Sequence, residues 1–243
     1  MKRKGILSSR EITKTDEQNV NQMKIDVKAE SLESTTASAE GRTHVGNSIV
    51  TINDSLSFPV RVMENQYGDR YIQLHKYGEK GYSYIVPRSK EIFAEWSRAV
   101  LSAYQSEEDA NTFGRKHEND MSIMVRSISL TEKGKIKAYA AVDVGELLTI
   151  NSIKVIEAAN GQKYVALPSL APVENEKGQK VYPPAVSVSN KKLESQINEQ
   201  VLRKYQDKIS ERQEGKIMGG TNIKRFCEER GGQNFNFAVE ATK

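Results

Sequence analysis

Thiol chemistry is almost absent from this chain: Cys227 is its one cysteine in 243 residues. No internal disulfide can form, so a reducing compartment is the expected setting. Long apolar runs are missing too. Nothing approaches the roughly 18 residues a membrane-crossing helix needs. The opening "MKRKGILSSRE" is basic, but Ile6 and Leu7 are too little for an export core. The expectation is a cytoplasmic protein without a membrane partner. The three histidines, His44, His75 and His117, are scattered and make no metal-ligand spacing with cysteine or carboxylates. "GKIMGGT" lacks the closing Gly-Lys-Ser/Thr of a phosphate loop. Cys227, in "KRFCEERGG", has basic neighbours that could favour its thiolate, yet a lone thiol there reads as incidental. No catalytic residue, metal, cofactor or small-molecule substrate is therefore expected, and the chain reads as a non-enzyme. A net charge of only +4 is a weak pull toward polyanions.

What the chain does have is an echo of itself. "YGDRYIQLH" from Tyr67 and "NGQKYVALP" from Asn160 share a Gly, a basic residue, a Tyr, a β-branched residue and a Leu in order. Gly68 and Gly161 stand 93 positions apart, and that offset also pairs Val60 to Glu64 with Ile153 to Glu157 and reaches back to Gly41 and Gly134. "MKIDVKAESL" from Met23 matches "MSIMVRSISL" from Met121. "SKEIFAEWSRAVLSAYQ" from Ser89 matches "NKKLESQINEQVLRKYQ" from Asn190. In the last pair Ile92, Trp96, Val100 and Tyr104 answer Leu193, Ile197, Val201 and Tyr205, each an i, i+4 apolar stripe. A chance hairpin would not bring its neighbours along in order. Residues 23–105 and 121–205 read as two copies of one module, joined by a linker at 106–120. A polar, disordered segment is expected at 1–22 and within "ESTTASAEGR". A helix extension running toward Gly215, then a Gly-rich tail, is expected over 206–243.

Each copy predicts a short first strand, a second strand over Val45–Ile52 or Ile136–Val144, and a hairpin over 58–75 or 149–167. A short extended piece and an amphipathic helix follow. Asn160-Gly161 is a strong hairpin signal, because both central residues tolerate positive φ. Ser89, and Ser189 or Asn190, are candidate helix N-caps. The fold class is α+β: two repeats, each a small curved antiparallel sheet with a C-terminal amphipathic helix. One module of this size has little core. The copies are therefore expected to pack as a pseudo-dimer within the chain, or between chains as a homodimer.

The second copy resembles the septation protein SpoVG family. The resemblance runs through Gly134, the strand Ile153 to Ile156, the Asn160-Gly161 turn, "YVALPS" from Tyr164 to Ser169, Pro184, and the helix ending near Tyr205. It covers about 85 residues, with the first copy a diverged version. It implies a small DNA-binding regulator, working as a dimer and linked to cell division septation and sporulation. Where that pattern has a basic pair after the Ser, this chain has Leu170 and Ala171, and Glu194 stands where an Arg is common. A protein-interaction or scaffold module that kept the fold without the DNA surface is the alternative.

Charge is uneven between the copies. Residues 121–205 hold 12 basic and 8 acidic residues, whereas 23–105 hold 10 of each. The candidate contacts to DNA are Lys135 and Lys137 along one strand, with Lys133 before them, and Lys191 and Lys192 at the helix start. In the first copy they are Lys76, Arg88 and Lys90. Each reads first as ordinary surface charge, and only second as a contact. Tyr77, Tyr82 and Tyr84 could stack on bases or simply cover core.

Overall fold

A computed structural model describes residues 22–37, 41–106, 110–118, 121–131 and 134–229. Strand β1 (Gln22–Ala37) pairs antiparallel with β2 (Thr43–Ile52), β2 with β3 (Leu56–Glu64), and β3 with β4 (Arg70–Leu74). The small hairpin β5 (Lys76–Tyr77) and β6 (Tyr82–Ser83) follows, then β7 (Ile85–Pro87) and helix α1 (Lys90–Ser106). After β8 (Ala110–Glu118) the order repeats: β9 (Ile123–Leu130), β10 (Ile136–Val144), β11 (Leu148–Glu157) and β12 (Lys163–Ala166). The hairpin β13 (Val173–Glu174) and β14 (Lys180–Val181), strand β15 (Ser187–Val188) and helix α2 (Lys191–Glu229) complete the series. Two sheet–helix units of like topology result. Residues 1–21 and 230–243, with the expectations placed on them, lie outside the described residues.

The units are joined by exchange. β7 of the first unit pairs with β11 of the second, through Leu148↔Pro87, Thr149↔Val86 and Ile150↔Ile85. β15 of the second pairs with β3 of the first, through Ser187↔Ser57 and Val188↔Leu56. Backbone bonds continue the symmetry: Arg88 N–H donates to Leu147 O, and Ser189 N–H to Ser55 O. Each long strand thus shares one edge between its own hairpin partner and the final strand of the other unit. Buried side chains of both units form one cluster. Phe58 and Trp96 sit in it with ring centroids 5.0 Å apart, together with Ile150, Ile153, Ile197 and Val201. A two-sided core of this kind supplies apolar burial that a single module of about 85 residues lacks.

Helix starts follow side-chain chemistry. Ser89 Oγ accepts from Ile92 N–H, and Asn190 Oδ1 accepts from Lys192 and Leu193 N–H, which selects Asn190 over Ser189 as the cap. The stripes Ile92, Trp96, Val100 and Leu193, Ile197, Val201, Tyr205 are buried as their spacing predicts, while Tyr104 is partly buried.

Four expectations need correction. The supposed linker contains β8, paired with the outer edge of β1 from Gln22↔Glu118 to Val27↔Ala110. Gln22 and much of "ESTTASAEGR" lie in β1, with a register shift between Ser31 and Thr36. The Asn160-Gly161 turn is not one with two positive φ values. Ala158 N–H donates to Gln162 O and Gly161 N–H to Ala158 O, so only Gly161 is left-handed, at φ 80. Gly68 at φ 85 ends the matching turn, where Asn65 Oδ1 accepts from Tyr67 and Asp69 N–H. Finally, the 93-residue offset does not run back unbroken to Gly41 and Gly134. Ser152, at φ 62, is an extra residue in β11, between the pairs Val142↔Ile150 and Ala140↔Ile153. Ahead of it the register equates Val50 with Val142 and Ile52 with Val144, an offset of 92.

Candidate nucleic-acid interface

The helix packs on one face of the second sheet, and alternation sends the other side chains outward. Register places Ser129, Tyr139, Lys154 and Ala166 in one row across β9, β10, β11 and β12. Ser127 and Ala141 form the next row, and Tyr164 lies beside Ile156 beyond Lys154. Tyr139 and Tyr164 are exposed large side chains, 42% and 48% accessible. Over this face leans the β5–β6 hairpin of the first unit, carried there because β7 pairs into the second sheet. Tyr77 closes a groove of about 580 Å³ with Ser127, Ser129, Tyr139, Ser152 and Lys154.

Tyr77 is held by its neighbours. Its ring centroid lies 4.8 Å from that of Tyr84 and 6.0 Å from that of Tyr82, in tilted contacts. Burial pushes its phenol above the usual range, so it stays protonated as a hydrogen-bond donor. Asn151 fixes the hairpin from below: its side-chain amide donates to Ser83 O at 3.0 Å, and its N–H to Tyr84 O at 2.8 Å.

The candidate cations fare differently. Lys137 Nζ lies 3.0 Å from Glu157 Oε2, and this pairing holds the Glu157 carboxyl below its ordinary range. Arg88 is drawn into the junction between units. Its Nη1 donates to Asp143 Oδ2 at 3.0 Å, Asp143 is buried, and Thr149 Oγ1 donates to the other carboxylate oxygen at 2.6 Å. Arg126 adds a second guanidinium 3.8 Å from Asp143 Oδ1. Lys191, Lys192 and Lys90 are exposed in the first turns of α2 and α1. There the helix dipole does not favour cations, so neither helix end gains from them. Lys135 is exposed just before β10, and Lys76 is exposed on the hairpin next to Tyr77. Only Lys76 adjoins a groove residue in sequence, so the seven do not gather at one place. Lys133 lies outside the described residues.

The groove residues Tyr139 and Lys154 escape a sequence reading, because within the repeat Lys154 answers Arg61 and both look like interior strand positions. Their signal is alternation: Tyr139 lies between the buried Ala138 and Ala140, and Lys154 between Ile153 and Val155. The same row in the first unit holds Glu30, Asn47, Arg61 and Gln73. Near it, burial and the charge of Arg61 lower the His75 pKa to about 4, which keeps that ring neutral at physiological pH.

Among the described residues no group of three or more His, Cys, Asp and Glu side chains is placed to hold a metal ion. No helix among them is long and apolar enough to cross a membrane. Compared with known families, residues 121–207 match the model for SpoVG. No curated protein and no solved structure matches the chain.

Proposed function

We propose that the chain, whose residues 121–207 match the SpoVG family model, is a SpoVG-type regulator of septation or sporulation. In this reading it works in the cytoplasm by binding nucleic acid rather than by catalysis. The observation that carries the binding surface is the row Ser129, Tyr139, Lys154 under the overhanging Tyr77. An exposed aromatic ring beside a cation offers stacking to a base and attraction to its phosphate. Such stacking is worth about 1–3 kcal/mol per base. Lys154 forms no ion pair among the described residues, unlike Lys137 and Arg88. With so few cations at the groove, phosphate contacts are few and stacking supplies much of the affinity.

A titration of labelled duplex and single-stranded oligonucleotides at two salt concentrations tests this. Affinity should fall as salt rises, with a log–log slope of about −0.9 per phosphate contacted on duplex and about −0.7 on single strands. Tyr139→Ala and Lys154→Ala should each weaken binding by about tenfold, within the range expected for one stacked base. Absence of binding to either strand form at low salt would sink the reading.

A second reading is a protein-binding module, favoured by the β13–β14 hairpin. There Val173, Val181 and Tyr182 are exposed at 54%, 44% and 61%, on the unit whose basic residues are partly consumed by ion pairs. Its mark would be a partner retained after nuclease treatment and lost on Tyr182→Ser.

A further inference from the structure

The floor of the groove under Tyr77 is built differently from the same stretch of the first sheet. On either side of Ala141 the ladder carries an extra residue. β9 pairs Ser127 with Ala141 and Val125 with Val142, which leaves Arg126 over. β11 pairs Ile153 with Ala140 and Ile150 with Val142, which leaves Ser152 over, at φ 62. Bulges re-aim side chains and take backbone groups out of the ladder, and here two flank one small residue. In the first unit Ser48, Ile49 and Val50 pair with both neighbouring strands without a break. Ile49, the counterpart of Ala141, covers that face with a side chain 46% exposed. The second sheet is thus hollowed at one point, and Tyr77 overhangs it there.

The roof is fixed at its base. Tyr84 N–H donates to His75 O at 3.1 Å, and Gly81 N–H to Gly78 O closes the tip of the hairpin. Asn151 ties Ser83 and Tyr84 to the sheet beneath. Tyr77 therefore faces the sheet, and its hairpin does not stand free to enter a major groove as a two-stranded ribbon must. What lies between is a cleft of about 580 Å³, within the roughly 300–1,000 Å³ of small-molecule sites.

The chemistry of the cleft narrows its occupant. It offers the rings of Tyr77 and Tyr139, the hydroxyls of Ser127, Ser129 and Ser152, and one charged side chain, Lys154. Rings stack on the faces of bases, and hydroxyls both donate and accept at base edges. In a duplex those faces are already stacked and the pairing edges are taken. A duplex also carries a charge about every 1.7 Å along its axis, which a single lysine does not match. An unpaired strand presents the faces and edges that this cleft can meet.

We propose that the groove takes an unpaired nucleic-acid strand in preference to duplex, with a base seated under Tyr77 in the hollow at Ala141. The proposal rests on the nucleic-acid reading above and adds to it the form of the strand. It also gives the first unit a part in recognition, since the wall that excludes duplex is that unit's β5–β6 hairpin. Unpaired bases are common to DNA and RNA, and the test separates the two.

The full chain is titrated at low salt, by fluorescence anisotropy, into labelled oligonucleotides of about 12 residues, a length within the site sizes of single-strand grooves. Three probes share one sequence: single-stranded DNA, single-stranded RNA and the DNA duplex. One or both single strands should bind at least about tenfold more tightly than the duplex, the worth of one stacked base. Tyr77→Ala should lower single-strand affinity by about tenfold and leave duplex affinity unchanged, whereas Tyr77→Phe, which keeps the ring, should retain the preference. Ser127→Trp, at an exposed strand position, should fill the cleft and cause the same loss with an unchanged circular dichroism spectrum. Duplex bound as tightly as both single strands, or more tightly, would overturn the proposal and leave the nucleic-acid reading standing. Binding to none of the three overturns both. A single-strand preference that survives Tyr77→Ala and Ser127→Trp alike would overturn the assignment to this groove.

Discussion

Arg88 is the residue on which the junction between units turns. Its guanidinium lies at 3.0 Å from a carboxylate whose side chain is only 4% exposed. Removing the cation leaves Asp143 charged, buried and dependent on Thr149 and the more distant Arg126. Arg88→Ala should therefore cost about 3 kcal/mol in chemical denaturation, at the low end for a broken buried pair because Arg126 stays near. Adding Asp143→Asn should recover a large part of that loss, since the neutral amide needs no counter-charge. A double variant as unstable as Arg88→Ala alone would show that the guanidinium acts through packing instead. In the first unit the register puts Thr51 and Ser57 in the places of Asp143 and Thr149, their hydroxyls 2.9 Å apart. The junction is thus charged on one side of the pseudo-twofold and neutral on the other.

At the scale of elements, α1 approaches β2 closely at Gly46. Tyr104 donates to Val45 O at 2.7 Å while its ring crosses Gly46, where a Cβ would fall 2.3 Å from ring carbon Cε2. The guanidinium of Arg70 lies over the same Tyr104 ring, 5.1 Å from its centroid. Gly46→Ala should destabilise by about 1–3 kcal/mol, as overpacking does. Combining it with Tyr104→Ala should cost less than the two separate losses summed. A fully additive pair, measured by urea unfolding, would rule the clash out. Register gives the equivalent place in the second unit to Ala138, so this close approach belongs to the first unit alone.

The elements also mark where sequence is legible. Helix stripes and hairpins show because each carries its own periodicity and turn residues, as in Ile92, Trp96, Val100 or Asn65 to Gly68. β8 does not show. "ANTFGRKHE" has a single large apolar residue, Phe113, and is defined by backbone pairing with β1 rather than by a side-chain pattern. The destination of β7 is hidden for a related reason. "Ile85-Val86-Pro87" reads as extended, but nothing local says that its partner is Leu148 to Ile150, some sixty residues on. The groove inherits that opacity, because Tyr77 reaches Tyr139 and Lys154 only through the exchange.

For the molecule as a whole, the exchange makes each unit complete only in the presence of the other. A fragment holding residues 121–214 keeps β15 and the outer edge of β11 but lacks β7 and the first unit. The edge at Leu148–Ile150 and the face under Ile85 would then be open. Such fragments should associate in pairs, each supplying its β15 to the β11 of the other in the manner of β7. Sedimentation at several concentrations should give twice the fragment mass. A fragment that remains single and folded would mean the exchanged strands are dispensable.

The exchange also sets an order in time. As the chain emerges during synthesis, β3 exists by residue 64, but the strand that completes its edge is residues 187–188. The first sheet must wait with an unpaired edge while more than a hundred further residues are made. Pairings so distant along the chain carry a large loop-closure cost and form slowly. Final closure of the first unit is thus tied to the second: the half made first cannot close until most of the other half has been made.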